Sequence, residues 1–266
     1  MFLKWNKLIG LWIKMTSQLT IRFICIQVII SLIILNFNYL NAQPPLKPNK
    51  VDAIGLKQGE WVYLFDKNWQ RTSKIDSAKY YRLVSYASSK PRGEVVDYFI
   101  NGEVQMKADS LISEIPEKYH GEVLIYSKDG NVYQLEYYDK GQMDTLLTIK
   151  TFEHYINKYK TEIPNSLDLA YLANDLAYIF REQKRFDLAE PYYLLAKEIR
   201  EKQLEHNNIL IARSCYKLAY VMFYQNKKDE ALPLFEKAAD IFLINNGNED
   251  ENYKNSRNFI NRINSE

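Results

Sequence analysis

Two hydrophobic rhythms divide the chain. From Gly55 to about Gly141 apolar and polar positions alternate, as in Trp61/Tyr63/Phe65, Tyr80/Arg82/Val84/Tyr86 and Tyr133/Leu135/Tyr137, the period of half-buried strands. Asn101-Gly102 and Asp129-Gly130 fall between such runs and predict two-residue hairpin turns. From about Leu167 the spacing becomes that of amphipathic helices. In the intervening Thr145–Asn165, the pattern predicts a strand through Leu146, Leu147 and Ile149 that closes the sheet. A short helix follows through Phe152, Tyr155, Ile156 and Tyr159, covering the first face of the helical array. The fold class is α+β, an antiparallel hairpin sheet followed by a short helical array.

The helical part says nearly the same thing twice. Leu176-Ala177-Tyr178 returns 42 residues later as Leu218-Ala219-Tyr220, and the same shift sets Ala189 on Ala231, Pro191 on Pro233, Tyr193 on Phe235 and Ala196 on Ala238. Alanines on both helices of a hairpin let their axes approach, and the aromatic ring four residues beyond the first alanine fills the gap to the next hairpin. Asp187 and Asp229 are the expected N-caps, which would put both prolines in a first turn. Tyr253, Phe259, Ile260 and Ile263 supply one more helix in the same register. The expected units are 170–211 and 212–253 with a capping helix at 254–264. Two hairpins are fewer than the three or so that such arrays usually need, so the open ends require cover.

This pattern resembles the tetratricopeptide repeat in its longer, kinesin-light-chain-like form, with Phe186-Asp187-Leu188-Ala189-Glu190-Pro191-Tyr192-Tyr193 as its second helix and His206 in its inter-repeat loop. The resemblance implies a non-catalytic surface for a protein or peptide partner, lined by the first helix of each repeat. Carried over residue by residue, that groove comprises Tyr171, Asn174, Tyr178 and Arg181, then Arg213, Tyr216, Tyr220 and Phe223, with Asn258 and Arg262 beyond. Such residues suit an extended segment: asparagine bonds a peptide backbone, arginine forks onto a carboxylate, and tyrosine gives area with little entropy to lose. A groove docked on the chain's own β part or on a second copy is the competing reading.

The strand part also echoes itself. Gly93-Glu94-Val95, Tyr98, Asn101-Gly102 and Val104 recur 28 residues later as Gly121-Glu122-Val123, Tyr126, Asp129-Gly130 and Val132, with Gly59-Glu60-Trp61 as an earlier copy. The pattern resembles the MORN-like repeat of the YwqK antitoxin type, which implies a hairpin scaffold. It also opens a second functional reading, an antitoxin-like or immunity-like protein that masks a toxin with its β part.

The amino terminus changes the setting. Lys4, Lys7, Lys14 and Arg22 precede the apolar run Phe23–Leu35, and Leu40-Asn41-Ala42 comes just before Gln43, the layout of a secretory signal peptide. We expect a leader at 1–42, with translation starting at Met1 or Met15. A proline-rich linker at 43–54, a β domain at 55–150 and a helical domain at 151–266 follow. If uncleaved, the leader is the one membrane attachment. The expected location is the periplasm, cell envelope or extracellular space, and the Ala-Gln junction resembles exported proteins of the Bacteroidota.

Charge and chemistry narrow the function. The chain carries +2 and the leader four basic but no acidic residues, so the remainder is −2, which argues against a nucleic-acid surface. Cys25 lies in the leader and Cys215 in a small-residue slot of the repeat, leaving no disulfide framework. His120, His154 and His206 are far apart in sequence, and no phosphate loop, HExxH, Cys-x-x-Cys or nucleophile-elbow motif occurs. The oxygen-rich Asn245–Glu251 lacks EF-hand spacing. No cofactor, metal or catalytic set is expected.

Overall fold

The computed structural model describes residue 44 and residues 49–265. The leader, its cleavage site, Cys25 and residues 43 and 45–48 of the proline-rich linker lie outside the described residues. The strands are β1 (Lys50–Val51), β2 (Lys57–Phe65), β3 (Arg71–Thr72), β4 (Tyr80–Ala87), β5 (Lys90–Phe99), β6 (Val104–Glu114), β7 (Glu117–Tyr126), β8 (Val132–Asp139) and β9 (Gln142–Met143). The helices are α1 (Thr145–Glu162), α2 (Leu167–Glu182), α3 (Phe186–Gln203), α4 (Ile209–Tyr224), α5 (Lys228–Asn246) and α6 (Glu251–Asn264). Strand order is β1-β2-β4-β5-β6-β7-β8-β9, with β3 beside β2. No helix among the described residues is long and apolar enough to cross a membrane.

The hairpin turns differ from the expected two-residue type. The Phe99 N–H donates to the Glu103 carbonyl and the Gly102 N–H to the Phe99 carbonyl; the same pair of bonds joins Ser127 to Asn131 and Gly130 to Ser127. Each loop therefore has three residues, closed by a glycine at positive φ, +87° at Gly102 and +77° at Gly130, as in a type I turn followed by a bulge. The bond pattern recurs at 52–56 and 66–70, where Trp69 holds the glycine's place at φ +58°.

The chain forms two compact units, residues 62–81 with 98–103, and residues 49–61, 82–97 and 104–265. The first is packed by rings: Phe65, Trp69, Tyr80 and Phe99 follow one another at centroid distances of 5.5, 4.4 and 5.6 Å, and Tyr81 stacks on Tyr98 at 4.8 Å. In the second, Arg82 forks onto Asp97 through Nε at 2.6 Å and Nη2 at 2.8 Å, while its Nη1 reaches Glu117 at 2.6 Å. Both Arg82 and Asp97 are buried. Burial opposes the arginine's charge, but Asp97, Tyr119 and Glu117 together hold its pKa above the ordinary value.

Thr145–Asn165 corrects the sequence reading. Leu146, Leu147 and Ile149 belong to a helix that runs unbroken over Thr145–Glu162, because the Asp144 carboxylate accepts the Leu147 N–H and caps it. Helix α1 does cover the array, as expected of its later half. Ile149, Phe152, Ile156 and Tyr159 share one apolar core with Leu169, Leu172 and Leu176 of α2 and with Val132 and Leu135 of β8. It also satisfies β8: the Tyr137 N–H donates to Thr148 Oγ1 at 2.9 Å and the Val132 N–H to the Tyr159 hydroxyl at 2.6 Å. The strand and helical rhythms thus meet in one core.

The 42-residue shift governs the array, with α2, α4 and α6 starting at 167, 209 and 251. Ala177, Ala189, Ala196, Ala219, Ala231 and Ala238 are all buried, as are Tyr193 and Phe235, as the spacing requires. The expected aspartate caps are a correction. Helix α3 begins at Phe186 with Arg185 as N-cap, and α5 at Lys228 with Lys227, neither using a side-chain cap. The turn chemistry explains this. Lys184 and Asn226 adopt φ of +59° and +63°. The N–H of Arg185 donates back to Phe180 and that of Lys184 to Arg181, with the same pair at Lys227 to Met222 and Asn226 to Phe223. This is a Schellman ending, and its last residue is already the next helix's N-cap. Pro191 and Pro233 consequently sit in the second helical turn.

Candidate functional site: the inner wall of the helical array

Helices α2, α4 and α6 are linked side by side through side chains. Lys217 Nζ on α4 donates to Asn174 Oδ1 on α2 at 2.8 Å, and Tyr220 and Phe223 on α4 meet Phe259 on α6 edge-on at 5.7 and 5.1 Å. The wall they form carries two neighbourhoods.

The first is aromatic. Arg181 lies over the rings of Tyr178 at 4.6 Å and Tyr220 at 5.7 Å and is bonded to Glu182. Tyr220 packs on Tyr224 at 4.7 Å, and Phe186 stacks on Tyr224 at 5.4 Å. Tyr178 and Tyr224 keep 45% and 48% of their surface exposed, so each offers part of its ring to solvent while Arg181 and Phe186 cover the rest.

The second is ionic and deeper. The Asn174 amide donates to Asp175 Oδ1 at 2.8 Å while its oxygen takes Lys217. Arg200 reaches in from α3, donates Nη1 to Ser214 Oγ at 2.6 Å and lies 5.3 Å from the Tyr171 ring. Burial, then Arg200, Arg181 and Arg213, pull the Lys217 pKa down to about 8 against the attraction of Asp175. Burial pushes Asp175 up, opposed by Asn174, Lys217 and Arg200.

The ten groove positions fare unequally. Tyr178, Arg181 and Tyr220 come together at the surface, while Arg213 and Asn258 are exposed. Arg262 is exposed and lies 4.8 Å over Phe223. Others are corrections to a simple lining. Phe223 is buried under Phe259, Tyr216 is held edge-on by Phe235 and Phe259, Asn174 is buried in the ionic network, and Tyr171 turns its ring to Tyr133 of β8. Sequence reading missed Tyr224, Asp175, Arg200 and Lys217. The signal for one pair was present: the 42-residue shift sets Lys217 on Asp175, so opposite charges occupy equivalent places on adjacent helices.

Cys215 is fully buried, and burial raises its thiol pKa to about 11, which makes it an inert core residue. His120 lies 3.3 Å from Asp139 on the sheet.

Residues 168–243 match the family model of the tetratricopeptide repeat. They are a tetratricopeptide region. No curated protein matches the chain. Among solved structures, the chain is similar to BtubC of P. vanneervenii at 18% identity, over 44% of this chain and 48% of that one, with a TM-score of 0.40. It is also similar to a Podosopora anserina kinesin light chain with nearly identical TPR-like repeats, at 17% identity over 44% and 56%, TM-score 0.40. The N-terminal domain of stress-induced protein-1 from C. elegans matches at 19% identity over 40% and 77%, TM-score 0.32. The match spans about half the length of the first two.

The depressed Lys217 gives the tetratricopeptide region a pH signature. Below about pH 8 both folded and unfolded chains carry this charge and the folded state bears its full cost. Between about 8 and its ordinary 10.5 the folded state has released the proton while the unfolded chain holds it, so the Lys217 contribution to stability rises with pH. Lys217→Met is therefore expected to stabilise by about 1–3 kcal/mol at pH 7, an advantage that fades toward pH 10. Urea unfolding of both proteins at the two pH values checks it; a constant difference refutes the charge penalty.

Proposed function

We propose that the tetratricopeptide region captures an extended segment of a protein partner along α2, α4 and α6, and that the chain is a non-catalytic adaptor. The observation that carries this reading is the open pair Tyr178 and Tyr224 flanking Arg181 and Tyr220. These are rigid rings with a fixed cation, of the kind that dominates protein contacts. We read the hairpin sheet as MORN-like, and the basic leader as export to the periplasm, envelope or exterior.

Binding to an array of extended peptides tests the wall. Tyr178→Ala with Arg213→Glu is expected to weaken capture about tenfold or more while the protein stays folded, since Tyr178 and Arg213 are both exposed and loss of the Arg213 charge relieves Lys217 and Arg200. Tyr216 is left intact because its contacts with Phe235 and Phe259 are internal packing. Undiminished capture by the double variant defeats the proposal.

A further inference from the structure

The charges behind the inner wall do not balance. Among the described residues, Arg200, Arg181 and Arg213 act on Lys217 alongside the carboxylate Asp175, and Arg213 and Asp175 act on Arg200 as well. Arg181 is engaged by Glu182 at 2.6 Å. Setting a second cation against Asp175 leaves two positive charges. The neutral partners do not offset them: Lys217 has an amide oxygen, Arg200 a serine hydroxyl, and the buried Arg200 Nε has no hydrogen-bond partner. Arg200 and Lys217, shielded from water fully and in part, repel each other more than solvated charges would, and the exposed Arg213 adds to their field. An arrangement of this kind becomes favourable when an anion joins it. A single carboxylate removes half of the surplus, whereas a phosphate monoester carries about −2 near neutral pH.

Access has a gradient. Arg200 lies too deep to touch a ligand and contributes through its field. Arg213 is exposed and Lys217 half-buried, so these two present donors to an arriving group. Tyr178, with its exposed ring four residues from Asn174 on the same helix, stands where the rest of a bound segment would run.

We propose that the middle of this wall receives a phosphate monoester, borne as a phosphorylated side chain on the segment that the wall holds. This rests on the reading of α2 and α4 as a contact surface. Arg213 and Lys217 supply the bonds, Arg200 the field from beneath, and Asp175 with Asn174 keeps Lys217 in place until the anion arrives.

The test titrates the full chain with phenyl phosphate at constant ionic strength, followed by calorimetry and by mass-spectrometric protection of Lys217 against acetylation. Saturable binding that protects Lys217 is expected, weakened about tenfold by Lys217→Gln or Arg213→Ser. Lys237→Gln, at a lysine paired with Glu201 on the outer helices, should leave it unchanged. No saturable binding, equal binding of benzoate, or indifference to Lys217→Gln overturns the proposal. Binding of inorganic phosphate without phenyl phosphate overturns the ester. Binding of phosphatidate vesicles without phenyl phosphate replaces the phosphorylated segment by a membrane. If phenyl phosphate fails while the peptide array still responds to Tyr178→Ala with Arg213→Glu, only the phosphate assignment falls. If neither responds, the contact surface itself falls.

Discussion

Asp97→Ala is expected to destabilise the protein by about 3–5 kcal/mol, because it strips the forked partner from a buried guanidinium. Asp97 is 1% exposed and Arg82 5%, so water cannot replace the lost acceptor without opening the sheet. Glu117 still holds Nη1, but its carboxylate is 45% exposed and cannot substitute for the fork. The cost belongs to the broken pair rather than to the presence of charge. Replacing both residues, as in Arg82→Met with Asp97→Leu, should recover most of the loss, since apolar groups of similar volume satisfy the same space. Chemical unfolding of Asp97→Ala and of the double variant measures this. A double variant no more stable than Asp97→Ala would show that the fork is worth more than its own desolvation.

Phe259→Ala should be comparably damaging, about 3–5 kcal/mol, but its effect is expected to be local. The ring stacks on Phe235 at 4.7 Å with the planes 2° apart, and meets Tyr216, Tyr220 and Phe223 edge-on. It is the point at which α6 grips α4 and α5. Apart from Phe259, α6 fully buries only Ser256 and Ile260, with Tyr253 and Ile263 half-buried beside them, too little to hold a helix whose other positions are polar. Hydrogen exchange should show residues 251–264 losing protection in the variant while β6, β7 and β8 keep theirs. Uniform loss across the chain would mean that α6 is structurally inseparable from the sheet. Because Tyr220 and Phe223 lose their neighbour as well, capture of an extended segment should weaken in the same variant.

The array was legible because its period is set by packing. A misplaced alanine at 177, 189, 219 or 231 would separate the helices, so the 42-residue register survives in the residue types and recovers the starts of α2, α4 and α6. The helix caps were not legible. Asp187 and Asp229 have the chemistry of N-caps, but the backbone turn at Lys184 and Asn226 consumes the residues where a cap would stand. The strand assigned to Leu146–Ile149 failed for a related reason: a short apolar run reads alike in strand and helix, and Asp144 decides between them. The hairpins were found from their dipeptides, while the loop length was not, since the same Asn-Gly or Asp-Gly pair serves a two-residue turn or ends a three-residue one. In the site, aromatic positions carried over from the repeat divided into surface and packing according to the location of Phe259, which no spacing rule within α4 specifies. Lys217 was passed over because a lysine on a helix ordinarily reads as a solvated residue; its setting emerges only when Arg200 arrives from the neighbouring helix.

One detail of α1 bears on how the chain avoids its own kind. Thr148 and Tyr159 occupy amide donors of β8 that a strand from another molecule would otherwise seek. Were α1 to peel away, the edge of β8 over Val132–Tyr137, beyond its short pairing with β9, would become an open template for intermolecular pairing, so the helix that begins the array also guards the sheet against polymerisation.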